Sequence, residues 1–106
     1  MKKPIVCLTS LMLLTNVFGK APEFAPVFSS GMVLQQGREL TIRGKAEPGE
    51  ALTLEFAGQK VAGTAGEDGR WQLMLAPLTV SHTPQTMTLT GPGGIRKLED
   101  VLVGEV

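Results

Sequence analysis

Few side chains in this sequence could make or break a covalent bond. His82 is the only histidine, so a serine–histidine–acid relay contained in the chain would have to run through its imidazole. It stands in Val80-Ser-His-Thr-Pro84, which reads as an exposed loop, and no Gly-x-Ser-x-Gly elbow accompanies it. The expectation is a solvated loop residue. Ser29 and Ser30 precede Gly31, a setting where a hydroxyl bonds its own backbone far more often than it attacks a substrate. Glu67, Asp68 and Gly69 suggest a calcium loop, but the alternating ligands of an EF-hand are missing, which leaves a solvated hairpin tip. Glu47 and Glu50 flank a Pro-Gly pair and read as surface carboxylates of a turn. Trp71 could stack on a sugar ring. It shares a face with Leu73 and Leu75, however, and is assigned to the core. No catalytic, cofactor-binding or metal-ligating residue is assigned, and no cofactor.

The elements that would position these groups are strands. In Leu40 to Lys45, apolar Leu40, Ile42 and Gly44 alternate with polar neighbours, the period-2 pattern of a half-buried strand. Leu52, Leu54 and Phe56 repeat it after Glu47-Pro48-Gly49-Glu50. Pro48 pre-sets φ at the second position of a type II turn and Gly49 supplies the positive φ at the third. The two runs either pair as a hairpin or cross between two sheets, and the residues serve both. Short extended pieces at Val27-Phe28 and Met32 to Leu34 come before them, and a weaker strand, Lys60 to Ala65, follows. Next are a turn at Gly66 to Gly69, a strand from Arg70 to Leu75, a loop from Leu78 to Pro84, a strand from Gln85 to Thr90, and a last segment after Gly91-Pro92-Gly93-Gly94. No window after the first 21 residues sustains a helical period.

The beginning has a different character. Lys2 and Lys3 precede an uncharged, mostly apolar run from Ile5 to Phe18, and Gly19-Lys20-Ala21 offers small residues for a peptidase. This is the pattern of a secretory signal peptide, too short to span a bilayer, with cleavage expected near Ala21. Residues 1–21 are therefore set apart, and the remainder is expected to be exported, periplasmic or secreted. The ten basic and ten acidic residues of the full chain balance, so losing Lys2, Lys3 and Lys20 leaves a mildly acidic remainder. That charge argues against nucleic acid or an anionic membrane as partner. Cys7, the only cysteine, leaves with the leader, and with it go disulfides, thiolate metal sites and cysteine nucleophiles.

Short strands separated by Gly- and Pro-rich turns predict an all-β domain, a small antiparallel β-sandwich of jelly-roll or Ig-like kind, over residues 22–98. Residues 99–106 are set apart as a segment leading onward. Asp100 to Val106 is an apolar run suited to a strand buried on both faces, and ending there suggests a piece of a longer polypeptide.

Four blocks together are more specific than the composition: Phe28-Ser-Ser-Gly-Met-Val-Leu-Gln-Gln36, Gly44-Lys-Ala-Glu-Pro-Gly-Glu50, Asp68-Gly-Arg-Trp71 and Asp100-Val-Leu-Val-Gly-Glu-Val106. In this order and at these intervals they resemble the amino-terminal β-rich region of the sialate O-acetylesterase family, exported carboxylesterases of the SGNH-hydrolase class. Gly44 departs slightly, since the family often has tryptophan beside a glycine there. The resemblance implies hydrolysis of O-acetyl esters on sialic acid or other acetylated sugars, through a serine carried by a following catalytic α/β domain. That domain is the implied partner, and the acetylated sugar reaches the protein through it. The family's Gly-Gln-Ser-Asn nucleophile motif has no counterpart up to Val106, so none of its catalytic residues transfers to this chain and the region is expected to be non-catalytic. The alternative is a stand-alone carbohydrate-binding module, or an Ig-like adhesion or structural one.

Overall fold

The computed structural model describes residues 20–105. The proposed leader, apart from Lys20 and Ala21, lies outside them, as does Val106. The described chain is all-β. Its strands are β1 (Glu23–Phe24), β2 (Val33–Gln35), β3 (Leu40–Lys45), β4 (Ala51–Phe56), β5 (Gln59–Thr64), β6 (Arg70–Leu75), β7 (Ser81–Gly91) and β8 (Gly94–Gly104). They form a three-stranded sheet, β1-β3-β6, and a five-stranded sheet, β2-β8-β7-β4-β5. All pairings are antiparallel except β2 with β8, which is parallel. This is the small β-sandwich that the strand spacing predicts.

The two alternating runs around Pro48-Gly49 do not pair with each other. β3 lies between β1 and β6, whereas β4 lies between β7 and β5. The chain crosses from one sheet to the other at Glu47–Glu50, where the Glu50 N–H donates to the Glu47 carbonyl at 3.1 Å and Gly49 has φ +79°. These are the marks of a type II turn. The crossing lets Ile42 on β3 and Leu52, Leu54 and Phe56 on β4 meet across the interior, each almost wholly buried. β4 then turns back into β5 through Ala57 and Gly58, at φ +50° and +81°. Two successive left-handed residues make a type I′ turn, whose twist matches the strands it joins.

The core runs between the sheets. Trp71, Leu73 and Leu75 of β6 close it from the three-stranded side, and Met87, Leu89, Val101 and Val103 from the other. The long β7–β8 hairpin contains two irregularities. Between the pairs Met87↔Leu98 and Gln85↔Val101, β8 advances by one residue more than β7. Asp100, at φ +55°, sits in that bulge, which keeps Val101 and Val103 aimed inward. The second irregularity lies between Ser81 and Gln85 and contains Pro84, which has no N–H for the ladder.

Several expectations are corrected. Ser81–Pro84 belongs to β7 rather than to a loop. β8 alternates at its end: Val101 and Val103 are buried, Leu102 and Gly104 only partly, so the strand is not buried on both faces. The largest correction concerns family and class. An SGNH hydrolase has an α/β/α architecture, and residues 20–105 contain strands and no helix. The assignment to the sialate O-acetylesterase family with its SGNH class is overturned by this helix-free fold.

Candidate functional site

Strand alternation dictates what the three-stranded sheet shows to solvent. In β3, Ile42 and Gly44 face inward, so Thr41, Arg43 and Lys45 face out. In β6, Trp71, Leu73 and Leu75 face inward, so Arg70, Gln72 and Met74 face out. The register sets Lys45 opposite Arg70 and Arg43 opposite Gln72, and on the far side it sets Glu23 opposite Lys45. Three cations thereby share one outer face. A groove of about 660 Å³ runs along it, lined by Glu23, Arg43, Lys45, Asp68, Arg70 and Gln72, with Phe24 to Pro26 on one side.

The groove depends on how β1 is held. A Cβ on Gly44 would overlap the Glu23 carbonyl and come within 2.7 Å of Trp71 Cζ2. Only glycine there lets β1 lie flat on β3 while the indole passes beneath. Trp71 Nε1 donates to the Lys45 carbonyl at 3.1 Å, and Phe24 meets the indole edge-on at 6.0 Å, a favoured aromatic geometry. Above the sheet, the Arg43 guanidinium stands 5.9 Å from the Phe28 ring centroid. Arg70 Nε is 3.9 Å from Asp68 Oδ2, both side chains well exposed, so this pair contributes little. Asp68 Oδ1 also accepts from the Arg70 N–H at 3.0 Å, which fixes the turn into β6. Arg43 and Lys45 are in no ion pair among the described residues. The groove presents the cations Arg43, Lys45 and Arg70, the carboxylates of Glu23 and Asp68, and the amide of Gln72. Such a surface can hold polar or anionic groups, and it contains no hydroxyl-and-base pair that could attack them.

The residues that drew attention in the sequence are scattered. His82 is exposed on β7. Ser30 Oγ accepts from the Glu99 N–H at 2.9 Å and so pins the turn before β2 to the bulged part of β8. The Ser29 carbonyl accepts from Met32 N–H at 3.2 Å. Glu67 and Asp68 occupy the exposed turn before β6. Trp71 is 3% exposed and offers no platform to a sugar. Among the described residues no group of three or more His, Cys, Asp or Glu could hold a metal ion.

Glu50 departs from expectation. It is not a surface carboxylate: it is 5% exposed, and neither carboxylate oxygen has a hydrogen-bond partner among the described residues. The cause lies in the strand's parity. Glu50 precedes Ala51 in β4 and so shares the inward face with Leu52 and Leu54. The groove itself was not foreseen. Arg43 and Lys45 alternate outward in the sequence, but their juxtaposition with Arg70 depends on the β3–β6 pairing.

No family model and no curated protein match the chain. Among solved structures it is similar to a carbohydrate acetylesterase from Xanthomonas citri, with a TM-score of 0.75 and 28% sequence identity, over 78% of this chain and 19% of that one. This likeness supports a relationship to a carbohydrate-esterase family at the level of the β-domain, and the chain spans only that 19% of the larger enzyme. A looser likeness, at TM-score 0.43 and 17% identity over 83% of this chain and 96% of the other, is to a chain of the titin M10–obscurin-like 1 Ig complex.

Proposed function

We propose that this chain is the β-domain of an exported esterase that removes O-acetyl groups from carbohydrate, and that the domain is not itself the catalyst. The supporting observation is the likeness to the Xanthomonas citri carbohydrate acetylesterase, in which a fold of this kind accounts for 19% of the chain. On this reading ester hydrolysis belongs to a separate catalytic domain of the same polypeptide, the partner the β-domain braces. The acetylated sugar reaches the protein through that domain. The residues fit a bracing role. The inward faces are committed to the core, and the polar groups gathered on one face lack a nucleophile and its base.

The test has two arms. The purified 106-residue chain is incubated with p-nitrophenyl acetate and with O-acetylated sugars, sialic acid esters among them, and acetate release is measured. None above buffer is expected, and serine-dependent turnover would refute the non-catalytic assignment. The polypeptide carrying this chain in its source cells is then isolated with an antibody to the β-domain and assayed on the same sugars. Acetate release is expected, and its absence across the set refutes the esterase reading.

A further inference from the structure

Residues 20–22 are fastened to the body of the sandwich. Pro22 is essentially fully buried, and its carbonyl accepts from Arg96 Nε at 3.1 Å. At the tip of the β7–β8 hairpin, a Cβ on Gly93 would overlap the Lys20 carbonyl, and one on Gly94 would lie 3.2 Å from Ala21 Cβ. A Cβ on Gly91 would lie 3.0 Å from Leu52 Cδ2 and 3.2 Å from Pro22 Cγ. The glycines of Gly91-Pro92-Gly93-Gly94 thus do more than turn the hairpin. They make room for Lys20, Ala21 and Pro22 to lie across its tip.

This packing bears on where the leader is removed. Hydrolysis of the Ala21–Pro22 bond would discard two of the three seated residues. The scissile amide would be the one on the Pro22 nitrogen, where the ring and missing N–H hinder a peptidase. Hydrolysis of the Gly19–Lys20 bond avoids both problems. Water adds across one secondary amide, giving a Gly19 carboxylate and a Lys20 ammonium, and Lys20 is exposed. Gly19 is a small residue of the kind leader-removing peptidases accept beside the cut, and Val17 stands two positions before it.

We infer that the exported chain is processed between Gly19 and Lys20, so that Lys20-Ala21-Pro22 is the folded amino terminus, held on the glycine tip of the β7–β8 hairpin. This moves the cut two residues upstream of the Ala21 boundary. It rests on the leader reading of residues 1–21 and is independent of the esterase reading.

The experiment is amino-terminal sequencing and intact mass of the exported protein, produced from the full 106-residue chain in a secreting bacterium. A start at Lys20 is expected. A start at Pro22 or any other position overturns the assignment, and retention of Met1 overturns the leader reading instead. A second measurement checks the seating without depending on the cut. Gly93→Val in the exported protein is expected to lower the unfolding midpoint by roughly 5 °C or more. An unchanged midpoint would show that Lys20 does not lie on the hairpin tip.

Discussion

Trp71 with Phe24 and Gly44 is the cluster on which the three-stranded sheet depends, and its weight can be worked from the geometry. A tryptophan buries about 150–250 Å². At about 25 cal/mol per Å² this amounts to about 4–6 kcal/mol, an upper figure because the unfolded chain is itself partly collapsed. Cutting the residue back to alanine is expected to cost about 3–5 kcal/mol. A domain of this size has about 5 kcal/mol in all, so Trp71→Ala should leave most molecules unfolded. Milder variants are more informative. Trp71→Phe keeps a ring in contact with Phe24 but removes the Nε1 hydrogen bond to the Lys45 carbonyl, and should cost about 2 kcal/mol. Phe24→Leu loses the edge-on contact at 6.0 Å, and a double-mutant cycle with Trp71→Leu should return a coupling of about 0.5–1.5 kcal/mol. Gly44→Ala should exceed Phe24→Leu, since its methyl would overlap the Glu23 carbonyl as well as crowd the indole. The assay is urea unfolding by circular dichroism. Where Trp71 is intact its fluorescence is a second probe, because no other tryptophan contributes. An unchanged midpoint in Trp71→Phe together with a coupling near zero would refute the argument, since the indole would then be neither bonded nor packed as described.

Glu50→Met should stabilise the protein by about 1–3 kcal/mol, the usual penalty of a buried polar group without a partner. Thermal unfolding of the two proteins decides it, and a lower midpoint would mean that the carboxylate has a partner. Gln59→Ala should cost about 1–2 kcal/mol, because one side-chain amide both donates to the Ala76 carbonyl at 3.0 Å and accepts its N–H at 2.8 Å. Hydrogen exchange at Ala76 should accelerate along with the stability loss, and unaltered protection there would contradict the contact.

The parts of this fold legible in the sequence are those governed by neighbours along the chain. The alternation of Leu52, Leu54 and Phe56 predicts an inward face, and the turn at Pro48-Gly49 follows from the φ preferences of two residues. Placing Trp71 in the core needed only its parity with Leu73 and Leu75. What was not legible depends on pairing between distant strands. The same turn residues fit a hairpin and a crossing, and only the partners of β3, which are β1 and β6, separate the two. The groove of Arg43, Lys45 and Arg70 depends on that pairing as well. Glu50 was misjudged for a related reason. Beside Pro48-Gly49 a carboxylate looks like part of a turn, yet the inward parity of Leu52 and Leu54 already extends back to it. The resemblance of four short blocks carried a class with it that the strands-only fold contradicts, since block spacing reports the local frame and not the layers around it.

The β7–β8 hairpin joins these observations into one mechanical argument. Its inward residues Met87, Leu89, Val101 and Val103 supply one wall of the core, and its tip receives Lys20, Ala21 and Pro22. Immediately after Pro22 comes β1, which pairs with β3 and roofs Trp71. The seating of residues 20–22 and the shape of the cationic groove are therefore mechanically linked. Loosening the segment at Gly93 should loosen β1, and with it the wall of the groove formed by Glu23 and Phe24. The expected signature is a red shift of Trp71 emission in folded Gly93→Val, as water reaches an indole that is otherwise 3% exposed. An emission maximum identical to that of the parent would show that β1 holds its place through its pairing with β3 alone.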